Sequence, residues 1–164
     1  HGIDEPVLNT FRMLGQMEGS RVQASSSAGL SVEEIRDHGV RTSPDISALA
    51  ARSPRSATVL VWNYHDDDVP VAEAQVTLTI DGLPPGKATL THDRIDDHHS
   101  NAYAAWVRMG SPQAPTSAQD AALERAGRLE PLRPDRPVEI GADGRVTEVF
   151  DLPRESVSFV KVTW

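Results

Sequence analysis

The sequence predicts a mainly β protein, an antiparallel β-sandwich with an N-terminal helix and a long, partly helical excursion. Short apolar segments rich in β-branched residues recur along the 164-residue chain with turn residues between them. Strand and helix patterns do not alternate, as they do in folds with a parallel sheet. The most apolar segment, Val59–Trp62, predicts a strand buried on both faces. We therefore expect this strand at the centre of the sandwich.

The N-terminal segment predicts an amphipathic helix. Asp4–Pro6 is a helix start, since an acidic residue precedes a proline whose missing N–H costs nothing in the first turn. Apolar residues then recur at helical spacing as far as Met17, and Gly19 ends the helix. The apolar stripe is wide for a terminal helix. Two interpretations stay open: the helix packs on this domain's own sheet, or its proper partner is missing from this chain.

Seven further strands are predicted from alternating or continuous apolar patterns. Ser31–Glu34 predicts a capping box that opens a short helical turn ending near Gly39. Asp81–Gly86 is dense in turn residues and predicts a hairpin-type connection. The predicted strands are Arg21–Ser25, Ile46–Ala51, Val76–Ile80, Lys87–Ile95, Val138–Ile140, Val146–Leu152 and Val157–Trp164.

A long excursion without a strand pattern covers Asp96–Pro137. One helix is predicted within it, capped by Thr116 or Ser117 and ending at Gly127. A connection of this length inside a compact domain is usually a functional loop, an interface or a disordered segment. Its aromatic residues argue against disorder. We therefore expect the excursion to form a functional loop or an interface.

Composition excludes several classes of protein. The formal net charge is −8 and the arginines are scattered, so no basic stripe indicates a nucleic-acid partner. The chain contains no cysteine, which excludes disulfides and cysteine-ligated metals and leaves the compartment undecided. No segment approaches the roughly 20 apolar residues that span a bilayer, so no membrane partner is expected. The first residue is not methionine, which suggests a fragment or a processed product.

Three clusters of histidine and carboxylate residues are candidate metal sites. His65–Asp68 has the oxygen ligands that calcium prefers but lacks the EF-hand spacing, and Asp-rich turns commonly end strands. His92–Arg94 and Asp96–His99 could hold zinc, or could form a hydrogen-bonded network in which Arg94 pairs with Asp93 or Asp96. The structural interpretation is favoured for all three, and we expect neither a metal nor a cofactor.

Longer motifs resemble glycoside hydrolase family 39, which contains β-xylosidases and α-L-iduronidases. Gly2–Asn9 is similar to the start of the last helix of that family's catalytic barrel, and Val59–Asp68 to the central strand of its C-terminal domain. The resemblance covers nearly the whole chain, and the xylosidase branch matches better. The other matching motifs are Val76–Leu78 with Gly82–Pro84, Arg94–Asp96 with His99–Tyr103, Trp106 with Met109–Pro112, and Leu152–Arg154 with Ser156–Ser158.

The resemblance implies a domain division. Residues 1–19 would be the final helix of a (β/α)₈ barrel that is otherwise missing, and residues 20–164 an accessory β-sandwich domain. The expected partners are that barrel and, through it, a carbohydrate substrate. The parent activity would be hydrolysis of terminal xylose from xylo-oligosaccharides, as in xylan degradation.

The resemblance also implies that the catalytic residues lie elsewhere. Retaining hydrolysis in this family uses two glutamates with carboxyl groups about 5–5.5 Å apart, at the ends of barrel strands. No residue here matches either motif, so we expect no catalytic residue and no activity in this chain alone. Asn101, Tyr103 and Trp106 are candidates for the rim of the substrate pocket, with Trp62 expected in the core.

The alternative function is an autonomous carbohydrate-binding module. Sugar specificity and oligomeric state are undecided.

Overall fold

The computed structural model describes residues 2–68 and 71–164, so His1, Val69 and Pro70 lie outside the described residues. Four helices and nine strands are present in the part described. In chain order they are α1 Pro6–Gly15, β1 Ser20–Val22, α2 Val32–His38, β2 Asp45–Ser53, β3 Ser56–Tyr64, β4 Ala74–Ile80, β5 Gly86–Ile95, α3 Ala102–Arg108, α4 Ser117–Ala126, β6 Glu130–Pro131, β7 Arg136–Ile140, β8 Val146–Leu152 and β9 Ser156–Thr163.

The strands form two unequal antiparallel sheets. The large sheet has seven strands in the order β1-β2-β3-β9-β5-β6, and β7 also pairs with β5. The small sheet contains only β4 and β8. The main core lies between the sheets, where Val59 and Val61 of β3 pack with Phe150 and Leu152 of β8. The predicted mainly β, antiparallel sandwich is confirmed.

Strand β3 is buried on both faces, as its continuous apolar pattern predicts. Val59 and Val61 face the small sheet, whereas Leu60 packs on the opposite side with Met13 of α1, Phe159 and other apolar residues. Trp62 is only partly buried, although it is predicted in the core. Its indole N–H donates to Oδ2 of the Asp45 carboxylate at 2.8 Å.

The predicted hairpin at Asp81–Gly86 is wrong. Strand β4 pairs with β8, and β5 pairs with β7 and β9, so this connection crosses from the small sheet to the large one. The Leu83 N–H donates to the Gly144 carbonyl at 2.9 Å, which ties the crossing to the turn before β8. Turn residues indicate that the chain reverses, but they do not determine which sheet the next strand joins.

The helices differ from the prediction at their ends and in number. Helix α1 ends at Gly15, not at Gly19. Gly19 has a φ of 88° and directly precedes β1. Ser31 caps α2 as predicted, because its Oγ accepts from the Glu34 N–H at 3.1 Å. The excursion contains the predicted helix α4, capped by Thr116, and also α3, which the sequence pattern did not predict. Among the described residues, no helix is long and apolar enough to cross a membrane.

Candidate functional site

Helix α1 presents most of its apolar side chains to solvent and buries one polar side chain, that of Asn9. Asn9 and Met13 lie one turn apart on the same face and are fully buried. On the opposite side, Val7 is 61% exposed and Phe11 is 66% exposed, with Leu8 and Leu14 also exposed. A surface helix normally has the reverse arrangement, with its apolar stripe facing the core. The outward residues Val7, Leu8, Phe11 and Leu14 are called the α1 face below.

Asn9 fixes the orientation of α1 on the domain. Its Nδ2 donates to the Ser100 carbonyl at 3.0 Å and to the Gly127 carbonyl at 2.8 Å. Its Oδ1 accepts from Arg12, which also pairs with Asp4 at 2.7 Å. Rotating α1 to bury its apolar residues would leave these buried carbonyls without partners, at about 1–3 kcal/mol each. The α1 face is therefore held outward.

An open apolar cleft of about 420 Å³ lies next to α1, between α1, α2 and the large sheet. Thr10 of α1 and Trp62 of β3 are among the residues that line it. Ile35 of α2 and Tyr64, both in its wall, are 37% and 46% exposed. The apolar surface on this side of the domain is thus wider than α1 alone.

The three predicted rim residues lie on or next to α3 and have different environments. Asn101 caps the helix, since its Oδ1 accepts from the Ala104 N–H at 2.9 Å. The Trp106 indole N–H donates to the Pro112 carbonyl at 3.0 Å, which fixes its ring. Tyr103 is 59% exposed, and its ring centroid is 5.9 Å from that of Trp106. Only Tyr103 presents most of its side chain to solvent.

The aromatic pair borders an open cleft of about 390 Å³. Ile3 and Glu5, which precede α1, also line it, together with Gln113 and neighbouring prolines. Ser100 and Ser111, on either side of α3, have left-handed φ values of 55° and 52°. Such conformations cost about 1–3 kcal/mol for residues with a side chain and concentrate at functional sites. Two such residues flank the segment that carries Tyr103 and Trp106.

The acidic turn His65–Asp68 ends a strand and connects two loops. Asp66 Oδ2 accepts from the Val40 N–H at 3.1 Å and pairs with Arg41 at 3.3 Å. The His65 Nδ1 accepts from the Asp67 N–H at 3.0 Å. These contacts tie the turn to the segment that follows α2.

The second and third clusters form one buried network. Arg94 Nε donates to Ser158 Oγ at 2.9 Å, and His92 Nε2 lies 2.9 Å from the same hydroxyl. Arg94 also pairs with Asp96 at 3.5 Å, which is one of the two partners predicted for it. Asp96 Oδ1 in turn accepts from the backbone of His98 at 2.7 Å and of His99 at 2.8 Å. The network joins the end of β5 to the beginning of the excursion.

Charge states within this network follow from burial. Burial, together with the positive charge of Arg94, lowers the pKa of His92 to about 4. Burial raises the pKa of Asp96, but hydrogen bonds from His98 and His99 outweigh it and leave that pKa lowered. Within the described ranges 2–68 and 71–164, no group of three or more histidine or acidic side chains is placed to hold a metal ion.

Sequence analysis missed two buried residues, Asn9 and Glu148. Glu148 is 3% exposed; it pairs with Arg136 and, at 3.4 Å, with Arg133. Its Oε1 lies 3.7 Å from the His92 Nδ1. The alternating pattern of β8 could have indicated that Glu148 is buried, because it places Glu148 on the same face as Val146 and Phe150.

Comparisons with known proteins extend this description. A model of the family "Glycosyl hydrolases family 39" matches residues 1–147. The chain belongs to this family. No curated protein sequence matches it.

Solved structures similar to this family 39 chain confirm the fold. The enzyme from Xanthomonas axonopodis pv. citri described as GH39 is 20% identical, with a TM-score of 0.79, and covers 99% of this chain and 31% of its own. A monomeric β-xylosidase from Caulobacter crescentus CB15 is 17% identical, with a TM-score of 0.73 and the same coverage. A bacterial orthologue of human α-L-iduronidase is 24% identical, with a TM-score of 0.72, over 98% of this chain and 27% of its own. The chain thus spans less than a third of the length of these structures.

Proposed function

We propose that this family 39 chain is the accessory β-sandwich part of a retaining β-xylosidase-like glycosidase. In this proposal residues 1–19 are the last helix of a (β/α)₈ catalytic barrel, and residues 20–164 form the accessory domain that supports it. The observation that carries the proposal is the outward α1 face. The bound substrate would be a xylo-oligosaccharide held by the barrel, and this chain would contribute no catalytic carboxylate.

The α1 face has the properties of half of an interface. Val7 and Phe11 lie one turn apart on the same side of the helix, and Leu8 and Leu14 flank them. Burying apolar surface is worth about 25 cal/mol per Å², so leaving four large side chains exposed forgoes several kcal/mol. In a (β/α)₈ barrel each helix packs its apolar face on the strands. The Asn9 side of α1 would then contact the sandwich while the Phe11 side contacts the barrel.

A matched pair of substitutions tests the docking. Phe11→Glu in the full-length polypeptide that contains this chain is expected to lower the melting temperature by at least about 5 °C, because it would bury an unpaired charge. In the 164-residue chain alone the same change is expected to shift it by no more than about 2 °C, since the side chain is exposed. Val149→Glu, on the outer face of β8 and 49% exposed, is the control and should have little effect in either polypeptide. Equal effects of Phe11→Glu in both polypeptides would contradict the proposal.

The finer part of the proposal places the α3 segment at the rim of the substrate pocket. Its support is the exposed ring of Tyr103, held next to Trp106 and beside an open cleft. Aromatic rings are the side chains that stack on sugar rings. In the full-length enzyme, Tyr103→Ala is expected to raise KM for a xylo-oligosaccharide while leaving melting unchanged. A KM equal to that of the wild type would contradict the placement of Tyr103 at the rim.

The same aromatic pair favours the second candidate function, a carbohydrate-binding module that acts without the barrel. Titrating the 164-residue chain with xylo-oligosaccharides separates the two functions. If the wild-type chain binds and Tyr103→Ala does not, the result supports the binding module. If the wild-type chain does not bind, the accessory role is left. Hydrolysis of an aryl β-xyloside, compared with an aryl α-iduronide, by the full-length polypeptide checks the parent activity.

A further inference from the structure

The two helices of the excursion leave and rejoin the rest of the domain at Ser100 and Gly127. Ser100 directly precedes Asn101, which caps α3, and Gly127 directly follows α4. Both residues are buried, and they are called the neck below. The position of the neck therefore determines where α3 and α4 lie on the domain.

A single side chain of α1, that of Asn9, is bonded to both residues of the neck. A primary amide carries two N–H donors on one nitrogen. The Asn9 Nδ2 donates to the Ser100 carbonyl at 3.0 Å and to the Gly127 carbonyl at 2.8 Å. Both carbonyls thus lie within hydrogen-bond distance of one atom, although α3 and α4 separate them in the chain. Asn9 is fully buried, so these bonds form without competition from bulk water.

Arg12 fixes the orientation of this amide and links it to the segment before α1. The Asn9 Oδ1 accepts from the Arg12 Nη1 at 2.9 Å, so the oxygen and the nitrogen of the amide have different partners. Arg12 also pairs with Asp4 at 2.7 Å. The backbone carbonyl of Asp4 lies against Gly127, where a Cβ atom would come within 2.5 Å of it. The neck is therefore packed against the segment before α1 as well as bonded to Asn9.

A further contact joins the neck to the large sheet. The Ser100 Oγ accepts from the Glu130 N–H at 2.8 Å. Glu130 belongs to β6, which pairs with β5 at Arg94. The neck is thus bonded to α1 through Asn9 and to the large sheet through Ser100.

We propose that Asn9 is a positioning residue, which holds the neck on α1 and so places Tyr103 for substrate binding. This inference rests on the proposed function, in which α1 belongs to the catalytic barrel and Tyr103 to the rim of its pocket. The Asn9 amide then fixes the position of α3 relative to that barrel helix. Ile3 and Glu5, which precede α1, line the same cleft as Tyr103, so a shift of the neck along α1 changes the shape of this cleft.

Hydrogen exchange of α3 and α4 in the full-length polypeptide tests whether Asn9 holds the neck. Asn9→Ala removes the donor of both bonds, and the amides of the two helices are expected to exchange at least about tenfold faster, relative to those of β9 in the same variant. Asn63→Ala is the matched control, because the buried Asn63 Nδ2 donates to the Leu152 carbonyl at 2.9 Å within the sandwich. It should change this ratio less than about twofold. A ratio in Asn9→Ala equal to that of the wild type would overturn the inference.

Steady-state kinetics with a xylo-oligosaccharide tests the effect on substrate binding. Asn9→Ala in the full-length polypeptide is expected to raise KM at least about threefold and to change kcat less than about twofold, because the proposed catalytic carboxylates lie in the barrel. Asn63→Ala should leave both constants as in the wild type, at a temperature at which all variants are folded. An unchanged KM in Asn9→Ala, or a loss confined to kcat, overturns the positioning role.

A double variant tests whether Asn9 acts through Tyr103. If it does, Asn9→Ala should raise KM little further in a polypeptide that already carries Tyr103→Ala, since the effects of coupled residues are not additive. A further increase as large as that in the single variant would show that Asn9 acts by another route and would overturn the proposal.

The outcomes separate this inference from the proposed function. If the wild-type full-length polypeptide does not hydrolyse xylo-oligosaccharides, the proposed function fails, and the exchange measurement alone decides whether Asn9 holds the neck. If the wild type is active and the KM of Asn9→Ala is unchanged, only the inference fails. If Asn9→Ala does not fold, Gly127→Ala replaces it in both measurements, because the added Cβ would displace the neck from Asp4. Exchange and KM equal to those of the wild type in that variant are then the overturning result.

Discussion

Phe159 lies beneath helix α1 and Phe11 lies on its outer side, and the two side chains differ in their exposure to solvent. Phe159, in the large sheet beneath α1, is fully buried and packs with Met13 and Leu60. Phe11, on the outer side of α1, is 66% exposed. The difference teaches that α1 completes the core beneath it while its outer apolar side chains stay exposed. It also separates the contacts that stabilise this chain from the surface that the proposed barrel would cover.

The largest effect on stability is expected for the substitution of Phe159 by alanine, and the same substitution at Phe11 is the comparison. Phe159→Ala should lower the free energy of unfolding of the 164-residue chain by about 3–5 kcal/mol, because it opens a cavity in a closely packed core. Phe11→Ala should change it by no more than about 0.5 kcal/mol. Urea denaturation followed by tryptophan fluorescence measures both. Comparable losses at the two positions would show that the α1 face is buried in solution.

A second prediction concerns the other face of the large sheet, where His92 is fully buried. Arg94, Glu148 and Arg133 are the charged groups that act on it, and its pKa is about 4. The unfolded chain has a histidine pKa of about 6.5 and so binds more protons between pH 6.5 and 4. The contribution of His92 is therefore complete above pH 6.5 and is lost as the pH falls toward 4, amounting to roughly 3 kcal/mol.

Two variants isolate this titration. His92→Gln should flatten the dependence of the unfolding free energy on pH between 6.5 and 4, whatever its effect on stability at pH 7. His38→Gln, at an exposed position, is the control for the removal of a histidine. Asp96 has a lowered pKa, so its contribution is lost only at more acidic pH and does not obscure the window. An unchanged slope in His92→Gln would show that His92 is protonated in the folded state.

The same comparison shows which features the sequence could predict. The continuous apolar pattern of Val59–Val61 predicts a strand with two buried faces, because period-two alternation disappears when both sides are covered. The apolar stripe of α1 is equally visible, but its direction depends on Asn9 and two carbonyls distant in the chain. A pattern gives the period of an element, whereas such contacts between distant segments decide which side is buried.

Pairing between strands was less predictable for the same reason. The turn residues of Asp81–Gly86 are compatible with a hairpin and with a crossing between sheets, and only the core packing of β4 with β8 decides between them. In the candidate site, the aromatic residues of a segment without a strand pattern indicated Tyr103 and Trp106, although the structure adds the short strand β6 and the start of β7 to that segment. The capping role of Asn101 could have been predicted, because an asparagine precedes a run of alanines and aromatics that forms a helix.

The smallest effect is expected at Asn101, where a side chain of the candidate rim acts only on local structure. Asn101→Ala removes the acceptor for the Ala104 N–H and should cost about 1 kcal/mol. Asn101→Asp retains an acceptor and should recover most of that loss, because aspartate and asparagine cap equally well. Thermal melting of the two variants measures the difference. If Asn101→Asp proves as unstable as Asn101→Ala, the amide has a role beyond the cap; if both melt like the wild type, α3 is held by the anchored Trp106 ring and not by its cap.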